Sequence, residues 1–324
     1  MKFVFGFTLF LLTGCTLGNE ILNEKAYSSC FNVMDYGAVG DGKVDDSQAF
    51  NETWEAVCSA QVGDGIATLV VPQGKTFLLY QIKFQGPCQA KSIHFQLGGT
   101  LVAPQSTSWG DEGVAVWIQF SSVENLILDG GGTIDGQGSI WWEPCMKTSS
   151  FGFYFDCNRR PTALHFNNCN GLRLEGLTHL NSPMLHISIN ACKDVTVSNL
   201  HIKAPKDSPN TDGIDIAASS NVQIQDSTIG TDQFYQDKNE LRSNGILQEA
   251  TAILVSDVTY SYIQGTSASD RAINLDCDKV VGCSNIVMNN VQITRSGTDP
   301  EIYGYCNNAN GTAFNVQPKV PCLS

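Results

Sequence analysis

Gly171-Leu172-Arg173-Leu174-Glu175, Asp194-Val195-Thr196-Val197-Ser198 and Asn221-Val222-Gln223-Ile224-Gln225 are three versions of one segment. Each opens on Gly, Asp or Asn, alternates apolar with polar residues, and closes on a polar residue. Alternation with period two is the mark of a strand with one buried face. Leu172 and Val195 lie 23 residues apart, and Val195 and Val222 lie 27 apart. That step is too long for a hairpin, and no helical pattern fills it. Asn125-Leu126-Ile127-Leu128-Asp129 and Asn285-Ile286-Val287-Met288-Asn289 extend the series in both directions. Loose repeats of this size read as coils of a solenoid, in which each coil buries its apolar residues against its neighbours. Asn at recurring turn positions suits left-handed backbone and side-chain ladders. The fold expected is all-β, a right-handed parallel β-helix. An antiparallel sandwich would need Asn-Gly or Asp-Gly turns between strands of matching length. Asp41-Gly42, Asp64-Gly65 and Asn170-Gly171 are not so placed. The stretch Asp46 to Ala60 has helical period and predicts one short N-terminal helix capping the solenoid's open strand edges.

The remaining composition narrows the function. The chain has 324 residues and a formal net charge of −13, which excludes the basic face of a nucleic-acid binder. It also argues against docking on anionic lipid. Residues 1–18 join Lys2 to the apolar run Val4 to Leu12, the pattern of a cleaved secretory signal peptide. Residues 19–324 are expected to form a single soluble domain, monomeric and extracellular. Removal of Cys15 with that segment leaves eleven of the 12 cysteines. In a secreted chain these should serve as disulfides, with Cys277–Cys283 and Cys306–Cys322 closing local loops. No cysteine or histidine spacing suggests zinc, and neither a metal nor a cofactor is expected. Asn51-Glu52-Thr53 and Asn310-Gly311-Thr312 are N-glycosylation sequons.

The most informative polar stretch is Lys206-Asp207-Ser208-Pro209-Asn210-Thr211-Asp212-Gly213-Ile214-Asp215-Ile216. Asp212 and Asp215 would point to opposite faces of a regular strand. The plain reading is that Asn210 and Asp212 are turn formers bonding their own backbone.

The Asn210-Thr211-Asp212-Gly213 run, with Ala204-Pro205 and Ser208-Pro209 before it, resembles the NTD motif of polygalacturonases, glycoside hydrolase family 28. Residues 35–50 resemble the family's N-terminal signature. Residues 130–142, Arg160-Pro161-Thr162 and residues 265–277 resemble its plant-type segments in the same order. The resemblance implies a parallel β-helix, secretion to the cell wall, and pectin or polygalacturonate as substrate. It also implies inverting hydrolysis, in which an acid protonates the leaving oxygen and a carboxylate activates water, the two standing ~6.5–9.5 Å apart. Asp212 matches the catalytic aspartate of NTD, Asn210 its asparagine, and Tyr235 a tyrosine that contacts substrate.

The match is incomplete. Relatives continue from the next coil into a GDD motif with two further aspartates, then GHG, then R-I-K for the substrate's carboxylates. This chain passes from Thr231 to Asp232-Gln233-Phe234-Tyr235, which resembles a segment several coils later. It has no GDD or R-I-K, and none of its five histidines stands between glycines. Asp45-Asp46 is read as helix capping and turn structure. An internal loss of coils near residues 231–232 accounts for all three gaps and for the odd cysteine. Two functional expectations follow: a polygalacturonase-type hydrolase of very weak or no activity, or a non-catalytic pectin-binding wall protein.

Overall fold

The computed structural model of the protein describes residues 29–105, 116–146, 160–206, 208–231, 234–236, 254–267, 270–296 and 301–324. The proposed signal segment, Asp232 and most of the stretch 232–250 lie outside the described residues.

The sequence repeats become coils. Leu174 pairs in register with Val197, and Val195 with Val222, reproducing the steps of 23 and 27 residues. All the strand pairings described are parallel, so the sandwich alternative fails. One long sheet carries two stacks side by side. The first runs Ser92–Leu97, Leu126–Asp129, Arg173–Glu175, Lys193–Ser198, Ser220–Gln225. The second runs Thr76–Leu78, Thr100–Val102, Thr133–Asp135, Thr178–Leu180, His201–Lys203, Thr228–Thr231. The strand Val255–Ser267 then serves both stacks in one coil. The chain forms a parallel β-helix.

A separate five-stranded sheet closes each coil: Ile82–Gln85, Val116–Ser121, Thr162–Asn167, Ile187–Asn190 and Ile214–Ala217. Its alternation sets the core. Ile118, Leu164, Ile187 and Ile214 stack in one inward row, and Phe120, Phe166, Ile189 and Ile216 in another. The ring of Phe120 lies 4.8 Å from Phe84, 5.6 Å from Phe95 and 5.5 Å from Phe166. Past Ile214–Ala217 the ladder is interrupted. The strands Phe234–Gln236, Arg271–Asp276 and Tyr303–Asn307 form a third sheet of their own. Between Val222 and its register partner Val258 the coil takes 36 residues, more than the 28 from Val258 to Ile286.

The turns behave as the sequence predicts. Asn125, Asn181, Asn199, Asn221 and Asn285 are among the residues with left-handed backbone. Their amides form ladders: Asn221 Nδ2 donates to Asp194 Oδ1 at 2.6 Å, and Asn285 Nδ2 to Asp257 Oδ1 at 2.7 Å.

The capping helix spans Ser47–Cys58 and buries Phe50, Trp54 and Val57 on the first coils. Trp54 Nε1 donates to the Gln85 carbonyl at 3.1 Å, and the Cys58–Cys88 disulfide ties the helix end to the loop beyond that strand. The two carboxylates before it divide the work. Asp45 Oδ1 accepts the Ser47 N–H at 2.9 Å. Asp46 holds the N-cap position, but its carboxylate turns back to accept Val39 N–H at 2.6 Å and Gly40 N–H at 3.2 Å. The disulfides Cys277–Cys283 and Cys306–Cys322 are both formed.

Candidate active site

The stretch 204–213 is a corner braced by its own hydroxyls. The Ser208 hydroxyl donates to the Pro205 carbonyl at 2.6 Å and meets the Thr211 hydroxyl at 2.7 Å. Two prolines that cannot donate leave these side chains to tie the turn. Asn210 takes a φ of 52° and is exposed, as a left-handed turn residue should be. The chain then dives inward: Thr211 is 0% and Asp212 6% exposed. Gly213 has no room for a side chain, since a Cβ would stand 2.6 Å from Ile229 Cγ2. The strand begins only at Ile214. Strand parity therefore does not govern Asp212, and both Asp212 and Asp215 are buried. Asn210 has the backbone of a turn residue, in keeping with the turn reading. Asp212 is more than a turn former, because its carboxylate is drawn into a buried polar cluster.

The centre of that cluster is Arg160, 1% exposed. Its Nη1 donates to the carbonyls of Pro183 at 2.9 Å and Pro209 at 2.6 Å, joining the corners of two successive coils. Burial pulls the guanidinium's pKa down, and the charge of Asp212 opposes that pull. Trp142 Nε1 reaches the Ser182 and Pro183 carbonyls, each at 3.2 Å. The His186 N–H donates to the Asp212 carbonyl at 2.9 Å, locking the two corners in register. His179 and His186 are buried close together. Burial lowers His179 to about 3. Burial, then the neighbouring His179, takes His186 well below the usual range. Both rings are therefore neutral at ordinary pH.

Asp215 belongs to a different row. Lys83, Gln119, His165, Ser188 and Asp215 are successive register partners across the five-stranded sheet, on the face opposite the Phe and Ile rows. They make a polar stripe with a step of ~4.8 Å between strands. Burial depresses the His165 pKa. Asp215 also acts on Tyr260, whose phenol is pushed up by burial first and by that carboxylate second.

In the sequence Arg160 stands out only as part of an ordered match, and His179 and His186 only as histidines not set between glycines. The available signal for Arg160 was a guanidinium followed directly by Pro161 and an apolar strand, a setting in which its charge had to find partners. Tyr235 lies in the strand Phe234–Gln236, in register with Asn274, on the far side of the break in the sheet. Among the described residues, no group of three or more His, Cys, Asp or Glu is placed to hold a metal.

A carboxylate beside a guanidinium favours its ionised form and suits accepting a proton or a hydroxyl hydrogen bond. Inverting hydrolysis needs a second, protonated carboxyl across the bond. The strand that follows in the stack, Phe234–Gln236, carries no carboxylate.

Two segments, residues 58–237 and 232–316, match the family model "Glycosyl hydrolases family 28". The chain belongs to that family. The two matches overlap at residues 232–237, where the strand Phe234–Gln236 begins the three-stranded sheet of this family 28 chain; the five-stranded one ends earlier, with Ile214–Ala217. A probable polygalacturonase of Arabidopsis thaliana is 35% identical over 388 aligned positions, taking in 91% of this chain and 81% of its own length. An alignment longer than this chain's 324 residues means that the relative carries stretches with no counterpart here. Polygalacturonase-2 of Solanum lycopersicum is 40% identical over 209 residues, 64% of this chain and 44% of the tomato protein. A polygalacturonase from Erwinia carotovora ssp. carotovora superposes with a TM-score of 0.56 at 18% identity, over 92% of this chain and 80% of that one. At that identity the likeness is one of fold.

Proposed function

We propose that this chain is a secreted family 28 protein of polygalacturonase type, directed at pectin or polygalacturonate, whose hydrolytic power is very weak or lost. The observation that carries the reading is the junction. The family match restarts at residues 232–237, a new three-stranded sheet starts at the same place with Phe234–Gln236, and no GDD, GHG or R-I-K occurs in the sequence. Asp212 is the one catalytic aspartate that carries over, with Asn210 and Tyr235 as substrate contacts. Loss of one member of an acid–base pair costs orders of magnitude in rate. A solenoid tolerates such a loss structurally, because each coil contacts only its neighbours. Here Thr228–Thr231 simply stacks on Gln264–Ser267.

The polar stripe from Lys83 to Asp215 favours a second reading, a wall protein that holds pectin without cutting it. A net charge of −13 works against that reading. Secretion is supported by the signal-like residues 1–18 and by the disulfides, and no described helix is long and apolar enough to cross a membrane. The decisive experiment is reducing-end release from polygalacturonate, run beside an intact relative. The expected result is release at least a hundredfold slower; parity would overturn the proposal. Affinity electrophoresis in pectin gels separates the two readings, since unretarded migration leaves no useful binding. Sequencing the transcript across codons 231–232 tests the missing coils.

A further inference from the structure

We infer that Asn310 carries an N-linked glycan, placed on the outer edge of the last described coil. The inference rests on the proposed secretion. The sequon Asn310-Gly311-Thr312 lies in the strand Ala309–Gln317. Gly311 in that triplet is structural. A Cβ there would stand 1.8 Å from the Ile286 carbonyl oxygen, so glycine is demanded by the fold whatever the sequon does.

Asn310 itself is divided between two roles that do not conflict. Its Oδ1 accepts the Asn285 N–H at 3.3 Å, continuing the turn ladder from Asp257 and Asn285. Among the described residues no acceptor engages its Nδ2, and the residue is exposed. Other ladder asparagines spend the same nitrogen: Asn221 on Asp194, Asn285 on Asp257, Asn315 on Asn290. A glycan takes Nδ2 and leaves Oδ1 free to accept. In the transfer, Nδ2 displaces a lipid-linked pyrophosphate from the sugar's anomeric carbon and gives up one proton. The new C–N bond replaces the C–O bond of the donor, and nothing is oxidised or reduced.

The location gives the modification a purpose. Ala309–Gln317 pairs with Cys283–Arg295 along one edge. Among the described residues its other edge meets only the isolated Gly311–Leu323 bridge. A nine-residue strand with one edge largely open and Phe314 72% exposed is a template for pairing with a second copy. A bulky glycan at Asn310 obstructs that approach.

The test is expression of the full chain in a eukaryotic secretory host, with medium and cytosol collected separately. Peptide mapping after peptide N-glycosidase treatment in heavy-oxygen water reads occupancy at Asn310. The expected result is a labelled aspartate at 310 in the secreted protein. It should be absent in Thr312→Ala, which removes the sequon yet keeps the Oδ1 bond to Asn285. That variant should also self-associate at lower concentration in sedimentation. Secreted protein with Asn310 bare overturns the glycan alone. Protein retained in the cytosol with Asn310 bare overturns the secretion reading and the glycan with it.

Discussion

Arg160 and Asp212 are buried charges of opposite sign in neighbouring corners of the solenoid: the arginine is 1% exposed, the aspartate 6%, and the aspartate's charge offsets the burial that lowers the guanidinium's pKa. The same guanidinium holds the carbonyls of Pro183 and Pro209. Removing one partner of such a pair strands the other charge in low dielectric, a loss of about 3–5 kcal/mol. Arg160→Ala should therefore lower stability by that order, read as a shift in the denaturant midpoint. Arg160→Lys keeps the charge and loses the planar fork, so its loss should be smaller. A change within about 1 kcal/mol for Arg160→Ala would show that the pair is not a keystone.

Acid should weaken the fold through two histidines. His179 is held near 3 and His186 well below 6.5, both chiefly by burial. In the unfolded chain both titrate near 6.5, so between that value and about 3 the unfolded state binds more protons. The stability they protect is complete above pH 6.5 and falls as pH drops below it, by about 1.4 kcal/mol per pH unit for each fully titrating histidine. Urea melts at pH 7, 6, 5 and 4 should show this decline. His179→Leu should flatten it, and an unchanged slope in that variant would assign the acid sensitivity elsewhere.

The architecture was legible because a solenoid writes its period directly into the chain. Leu172, Val195 and Val222 are equivalent residues, and their spacing is the coil length. Asn221 and Asn285 announced the turns for the same reason, since few other residues accept that backbone. The site was legible only in part. Asp212 could be found from its neighbours in sequence. Arg160 could not, because the carbonyls it holds lie 23 and 49 residues away and become its neighbours only when coils stack. His179 and His186 could not, because no pattern in the sequence marks either ring as buried. Strand parity does not reach Asp212, since the strand begins only at Ile214, and both Asp212 and Asp215 are buried. The Asp46 carboxylate likewise serves the turn behind it, a choice that depends on how Val39 and Gly40 are presented.

Core packing should be costly to disturb at one point. Phe120 touches the rings of Phe84, Phe95, Phe166 and Trp54, the last at 5.8 Å. It thus bonds three coils and the capping helix into one unit. Phe120→Ala should cost about 3–5 kcal/mol through lost burial and the cavity left behind. Phe314→Ala, at a site 72% exposed, should stay within about 0.5 kcal/mol. Chemical denaturation of the two variants side by side checks the contrast.

A last prediction concerns the buried thiols. Cys169 and Cys192 are free and buried, one above the other in adjacent coils. The Cys169 N–H donates to Cys192 Sγ at 3.3 Å, and the Cys192 N–H to Ser219 Oγ at 3.0 Å. Each side chain thus satisfies the amide of the coil before it, and sulfur and oxygen do the same work in one column. Cys192→Ser should then be tolerated, because Ser219 already shows that a hydroxyl fits the role. Cys192→Ala leaves the Cys169 amide buried without an acceptor and should cost about 1–3 kcal/mol. The contact with Cys169, then burial, pushes the Cys192 thiol far above its ordinary range, so it should resist alkylation in the native protein. Iodoacetamide labelling before and after guanidinium unfolding, read by peptide mapping, should find Cys192 modified only in the unfolded sample. Rapid labelling of the native chain would mean that this column opens.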